Sequence, residues 1–239
     1  MTVSNTGLFD ICEATWPAAA YTRIGPWMVR DGHGGGKRVS SVTAKDGWTL
    51  ADIPQAEQAC RDLGQDLLFQ IRPEDTELDT VLAETGYEII DPVDFLTAPV
   101  GSLTADLHRL AAIPCWPPLA VQTEIWAEGD IGPARCAVMD RATGPKTALL
   151  GRHEDHPAAT AFVSIHNGTA MLHALEVSQE ARRQGVGRAM MQGAANWAAR
   201  NGARDLAVLV VKANEAAQTL YAALGMTPAG AYHYRIKKG

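Results

Sequence analysis

The 239-residue chain predicts an α/β (α+β) fold in which one strand-and-helix unit is used twice. Three observations lead there. The second half alternates strand-like and helix-like segments. Two short strings in it recur in the first half at one constant offset. A proline-rich break, Pro114-Cys115-Trp116-Pro117-Pro118, lies between the halves. X-Pro steps and a Pro-Pro pair disfavour helix and predict a stiff connector. The expected division is therefore 1–113, connector 114–118, and 119–239, with the short amphipathic stretch 104–112 leading into the break.

Each element of the second half has a local signature. Residues 120–126 read as a strand and 130–141 as a helix. Residues 158–166 and 169–177 read as strands joined by His166-Asn167-Gly168, a strong hairpin turn. A helix is expected over 185–200, because Val186, Ala189, Met190, Gly193, Ala194 and Trp197 share one face. Gly202 is its stop. Residues 206–211 are apolar without alternation, as in a strand buried on both faces. Asn214 can cap the next helix, where Ala217, Leu220, Tyr221 and Leu224 form the apolar stripe and Gly225 the end. Residues 227–236 supply a last strand.

The repeat lies in two strings. Asp66-Leu-Leu-Phe-Gln-Ile71 resembles Asp205-Leu-Ala-Val-Leu-Val210, and Leu82-Ala-Glu-Thr-Gly86-Tyr87 resembles Tyr221-Ala-Ala-Leu-Gly225-Met226; both pairs are 139 residues apart. A helix is expected before each copy, at 54–63 and 185–200. The prediction is that 54–100 and 185–236 share a helix–strand–helix–strand order.

Bulk properties exclude several classes. Apolar residues are 46% and charged residues 20%, an ordinary globular balance. A net charge of −6 argues against a nucleic-acid binder. Cys12, Cys60, Cys115 and Cys136 are scattered and form no CxxC pair, so they read as reduced thiols of a cytosolic protein. Neither a signal peptide nor a membrane span is expected, and no metal site is indicated.

The chemistry sits between the 169–177 strand and the 185–200 helix, in Leu175-Glu-Val177-Ser-Gln-Glu-Ala-Arg182-Arg183-Gln184-Gly185-Val186-Gly187-Arg188. The glycines permit a tight turn close to a ligand. The helix start offers unpaired N–H groups and a positive dipole end, a site for a pyrophosphate, and Arg182, Arg183 and Arg188 add charge. No GK[ST] follows, and GxGxxG is absent, so this is neither a Walker loop nor a dinucleotide fingerprint.

The [RQ]xxGxG pattern after a Leu-x-Val strand resembles the acetyl-CoA signature of the GNAT acetyltransferases. The downstream Asn214 and Leu-Tyr221-x-x-Leu-Gly-Met resemble the family's second block, at the family's usual separation. The likeness covers about half the chain. It implies a mixed, mostly antiparallel splayed sheet flanked by helices, here in two related copies. It also implies acetyl-CoA as co-substrate, no metal, and a primary amine of a small molecule or peptide as acceptor by direct attack. By the resemblance, backbone groups of Leu175 and Val177 would pair with the acetyl carbonyl and pantetheine arm. The amides of Arg183, Gln184, Gly185, Val186, Gly187 and Arg188, behind Arg182, would bind the pyrophosphate. Asn214 would contact the cofactor or simply cap its helix. Tyr221 would sit near the sulfur, or be a core aromatic.

The amine must be neutral to attack, which favours a base for lysine-like acceptors. Several relatives carry a Glu eleven residues before the motif. Here that position is Met171. His173, two residues on, is the first candidate, with a hydrogen-bonded strand histidine as the other reading. Glu176 is expected to face the other way, and bulk water is a third option. An acyl-CoA sensor without catalysis is the competing function. The sequence leaves acceptor, acyl length and oligomeric state (monomer or homodimer) open.

The first half lacks the motif. Stepping back 139 residues from 182–188 reaches 43–49, Thr-Ala-Lys-Asp-Gly-Trp-Thr, and Tyr221 maps onto Leu82. This copy resembles a degenerate GNAT half in a tandem protein. Gly32-His-Gly-Gly-Gly-Lys-Arg38 reads as a hairpin or loop, alternatively one that reaches over a substrate cleft between the halves.

Overall fold

A computed structural model describes residues 5–45 and 47–238. In chain order the elements are α1 (Asn5–Thr15), β1 (Ala20–Ile24), β2 (Trp27–Asp31), β3 (Val42–Ala44), α2 (Ile53–Asp62), β4 (Leu67–Ile71), α3 (Thr76–Glu84), β5 (Glu88–Pro99), α4 (Val100–Leu103), β6 (Ala112–Cys115), α5 (Ala120–Glu128), α6 (Pro133–Arg141), β7 (Lys146–His153), β8 (His156–His166), β9 (Thr169–Val177), α7 (Val186–Arg200), β10 (Asp205–Val211), α8 (Glu215–Ala223) and β11 (Thr227–Lys237). The architecture is the mixed, mostly antiparallel sheet with flanking helices that the sequence predicts.

Contacts divide the chain into two compact units. Unit one holds the chain up to Pro17, Phe95–Val210 and Asn214–Gly230; unit two holds Ala18–Asp94, Val211–Ala213 and the chain from Ala231 on. Strand β5 thus begins in unit two and ends in unit one, and β11 does the reverse. Segment 114–118, expected as an inter-domain connector, lies inside unit one. Its first residues belong to β6, an edge strand pairing Pro114 with Leu149 of β7. A proline is tolerated there because the outer edge needs no N–H.

In unit one the strand order is β5-β10-β9-β8-β7-β6. The β8–β9 turn places Asn167 (φ 49°) and Gly168 (φ 77°) in the left-handed region, the two-residue hairpin geometry read from the sequence. Helix α7 buries Val186, Met190, Ala194 and Ala198 against this sheet. A Cβ on Gly193 would lie 2.3 Å from the Cβ of Ala112, so glycine is what lets β6 approach the helix.

Two segment expectations fail. Residues 120–126 are helical, within α5. Val, Thr and Ile there mimic a strand, but the buried positions are Gln122, Ile125 and Trp126, at helical spacing. The Gln122 side chain closes the helix start by accepting from Leu119 N–H at 2.9 Å. A polar member hid the stripe. The amphipathic stretch 104–112 forms no helix, and β7 was not read.

In unit two the order is β1-β2-β3-β4-β11. Its core joins Trp27, Phe69, Leu78, Leu82 and Tyr87. The Gly32–Arg38 segment is loop and 3₁₀ turn. It is held where Gly32 N–H donates to Gln65 Oε1 at 2.8 Å and Lys37 pairs with Asp91 at 2.6 Å.

The repeat is visible in the elements. Helix α3 spans 76–84 and α8 spans 215–223; β5 starts at 88 and β11 at 227, each 139 later. Their helix ends match bond for bond. Thr85 N donates to Val81 O, Gly86 N to Ala83 O and Tyr87 N to Leu82 O. Leu224, Gly225 and Met226 repeat the pattern onto Leu220, Ala222 and Tyr221. Gly86 (φ 89°) and Gly225 (φ 78°) close both ends in the left-handed region.

Candidate active site

Every site residue predicted from the sequence lies in unit one. The loop into α7 begins with a 3₁₀ turn, Gln179–Ala181. Arg183 (φ 63°) and Gly185 (φ 82°) then take left-handed backbone on either side of Gln184, which does not. Such alternation turns successive N–H groups toward one concavity. Among the described residues, the N–H groups of residues 183–188 make no hydrogen bond, and no side chain caps α7. Six unpaired donors at a positive helix end are an arrangement suited to an anion.

The two motif glycines serve different ends. Around Gly185 a Cβ would meet only open space, so it is the positive φ that favours glycine. A Cβ on Gly187 would lie 3.3 Å from Leu220 Cδ2, so that glycine admits α8. Arg188 reaches α8 as well, donating to Ala223 O at 3.2 Å. The Gln184 side chain donates through Nε2 to Glu180 O at 2.9 Å. Arg182 donates through Nε to Val177 O and through Nη2 to Glu176 Oε1, each at 3.0 Å.

Beside the loop the sheet opens. The parallel β9–β10 ladder runs from Thr169↔Asp205 to Leu172↔Val208 and stops, so, among the described residues, positions 173–177 of β9 have no partner on that side. Leu175 and Val177 lie on this free edge, their side chains packed on the core that holds α7 and α8. An extended ligand chain can add there as a strand does.

A bulge sets the directions of the remaining side chains. Ala174 has φ 51°, and the β8 register jumps from Phe162↔His173 to Thr160↔Glu176. Thr160 and Phe162 are two apart on β8 and share a face, so their partners Glu176 and His173 share it too. The expectation that Glu176 faces the other way is thereby corrected. Trp126 Nε1 donates to the carbonyl of Ala174 at 2.8 Å and pins the bulge.

His173 is 4% exposed. Its Nε2 is 2.9 Å from Thr15 Oγ1, and its ring centroid is 4.9 Å from that of Trp16. It is a hydrogen-bonded histidine packed under α1. Met171 is fully buried. Asn214 caps α8 by accepting from Ala217 N–H at 3.0 Å. Tyr221 is 6% exposed, and burial pushes its phenol up to about 12. Its hydroxyl makes no hydrogen bond among the described residues. Among the described residues no grouping of His, Cys, Asp and Glu could hold a metal, and no helix is long and apolar enough to cross a membrane.

Sequence reasoning set Glu176 on the wrong face and missed Gly129 and the Gln122–Thr160 contact (3.3 Å); all of these line the face shared with His173. No local signal could reveal them, since the bulge is defined by the partner strand.

Residues 105–226 match the Acetyltransferase (GNAT) family. The chain is 31% identical over 95% of its length to the Bacillus subtilis protein named uncharacterized N-acetyltransferase YobR, covering 96% of that protein. Among solved structures it resembles a GCN5-related N-acetyltransferase from Kribbella flavida, with TM-score 0.73 and 20% identity over 100% of this chain and 97% of that one. It also resembles a tandem GNAT protein from the clavulanic acid biosynthesis pathway, with TM-score 0.58 and 13% identity over 82% and 74% of the two chains.

Proposed function

The chain belongs to the GNAT acetyltransferase family, and on that premise we propose that it transfers an acetyl group from acetyl-CoA to a primary amine of a small molecule or peptide by direct attack, in the cytosol. The observation that carries this reading is the run of unpaired N–H groups over residues 183–188 beside the open edge of β9. The first is suited to a pyrophosphate and the second to an amide-bearing arm, and both belong to one loop and strand.

The residues divide the work. Amides from Arg183 to Arg188, flanked by arginines, hold the diphosphate. Backbone groups of Leu175 and Val177 orient the thioester. Asn214 fixes the start of α8, and with it Tyr221. The phenol stays protonated at any working pH, because burial raises it to about 12. Full transfer of its proton to a thiolate of pKa about 8.5 is uphill by roughly 5 kcal/mol. Tyr221 therefore acts as a hydrogen-bond donor whose bond strengthens as charge develops on the departing sulfur. His173, enclosed by Trp16 and bonded to Thr15, suits holding α1 on β9 better than taking the amine proton. That proton leaves to water.

Release of free thiol from acetyl-CoA, followed with a panel of primary amines, tests the reading. Amine-dependent release is the expected result. Tight acetyl-CoA binding without turnover on any amine would make the chain an acyl-CoA sensor instead.

A further inference from the structure

Helix α7 lies on one face of β9. The face that Glu176 shares with His173 is the other one, and its lining comes from the end of α1 with Trp16, from α5 and the turn after it, and from β8. Glu176 is the carboxylate on that face next to the open edge, one residue from Leu175. Its side chain is 20% exposed. Gly129, at the end of α5, sits so close that a Cβ there would lie 2.5 Å from Glu176 Oε2. The absence of a side chain at Gly129 is what leaves room for the carboxylate.

Its present partner is a cation from the chain itself. Arg182 bonds Oε1 at 3.0 Å while its own side chain is 60% exposed. An ion pair so open to water is weak and exchanges readily. The guanidinium marks a place where a ligand cation fits.

A carboxylate beside an ammonium stabilises its charged form. That opposes the deprotonation the attacking amine requires, so Glu176 does not suit the reacting nitrogen. It suits a second, non-reacting cation. We propose that Glu176 is the specificity-determining residue of the acceptor site, selecting amines that carry a further aliphatic ammonium group, which displaces Arg182 from it. This rests on the acetyl-transfer reading above.

The test compares α,ω-diamines of three to six carbons with the monoamines of the same length. Wild type should favour at least one diamine over its matched monoamine by tenfold or more in kcat/KM, mostly through KM. Glu176→Gln should collapse that ratio to within about threefold of unity. Gly129→Ala, whose Cβ would collide with Glu176 from Cγ to Oε2 and push its side chain aside, should reduce the ratio in part. Tyr221→Phe should slow both amines alike and keep the ratio. A wild-type enzyme that acetylates monoamines as well as diamines, or a ratio that survives Glu176→Gln, overturns the inference while leaving acetyl transfer standing. Acetyl-CoA binding with no amine turned over removes acetyl transfer, and this inference with it.

Discussion

Helices α2 and α7 hold equivalent places in the two copies, and their starts are built for opposite ends. Helix α7 begins with unpaired N–H groups, a left-handed glycine and three nearby arginines. Helix α2 begins with Ile53 and Pro54, the second of which has no N–H, behind the Asp52 carboxylate. Asp52 also accepts from Thr49 N–H at 2.8 Å and from its hydroxyl at 2.7 Å, closing the turn on itself. A diphosphate would meet negative charge and few donors there. The registers show how the difference arose. Val42 pairs with Phe69 in unit two and Leu172 with Val208 in unit one, so the strand-to-strand path spans 27 residues in one and 36 in the other. The first copy lacks nine residues, and the anion loop has no counterpart of its own. Stepping back 139 residues from the loop reaches 43–49, in β3 and the turn after it, where Asp46 lies outside the described residues. The lesson is that two copies can share a strand–helix frame while the connection into the helix differs in length and in the donors it offers.

Breaking the α7 loop should have the largest effect. At a thousandfold excess over Kd, acetyl-CoA should stabilise the protein by about 4 kcal/mol. Gly185→Glu sets a carboxylate among the donors and should abolish that shift in thermal melts. Left-handed backbone costs the new residue about 1–2 kcal/mol, so the ligand-free melting point falls as well. Asp52→Ala in the first copy should leave the ligand shift untouched. A shift that survives Gly185→Glu, or vanishes with Asp52→Ala, would reverse the assignment of the live copy.

The next effect concerns the position that is Tyr221 in one copy and the fully buried Leu82 in the other. Tyr221→Phe should cost roughly 3 kcal/mol in kcat with KM for acetyl-CoA nearly unchanged. The ring keeps its packing, so the melting point should hold. Turnover at the wild-type rate would mean that tyrosine and leucine fill the same core role in both copies.

The smallest effect sharpens what the first copy gained instead. Where α8 has Gln218, α3 has Asp79, which accepts from Arg235 Nε and His233 Nε2, both at 2.7 Å. Burial pulls this carboxyl up, but those two partners pull it further down, below the usual carboxylate value. A depressed value means stability that is present above the unfolded pKa of about 3.9 and is lost as pH falls through the folded one. Asp79→Asn should therefore cost about 1–2 kcal/mol at neutral pH, shrinking toward zero below pH ~4, without touching the acetyl-CoA shift. A loss independent of pH would assign Asp79 a packing role.

Legibility followed the range of the interaction. The Asn167-Gly168 turn, the Asn214 cap, the Gly86 and Gly225 helix ends and the α7 loop are written in neighbouring residues, and each was readable. Helix α5 was misread because its buried stripe includes Gln122, which no apolar pattern counts. The fate of 114–118 was misjudged for a related reason. Prolines forbid helix locally, but whether an extended segment links units or edges a sheet depends on which strand lies beside it, here β7.

The sequence by itself determined the family, the run of elements from β8 to β11 and the glycine-bearing turn into α7, because periodicity, capping and glycine conformation act over a few positions of chain. Tertiary structure alone decided the rest. Pairing with β8 across the Ala174 bulge turned Glu176 onto the face of His173, and packing under α1 enclosed that histidine. The end of the β9–β10 ladder at Leu172 opened the edge beside Leu175. A side chain's face along a strand follows from counting by twos only while the ladder is unbroken, and a break in it is a property of two strands, which neither one encodes alone.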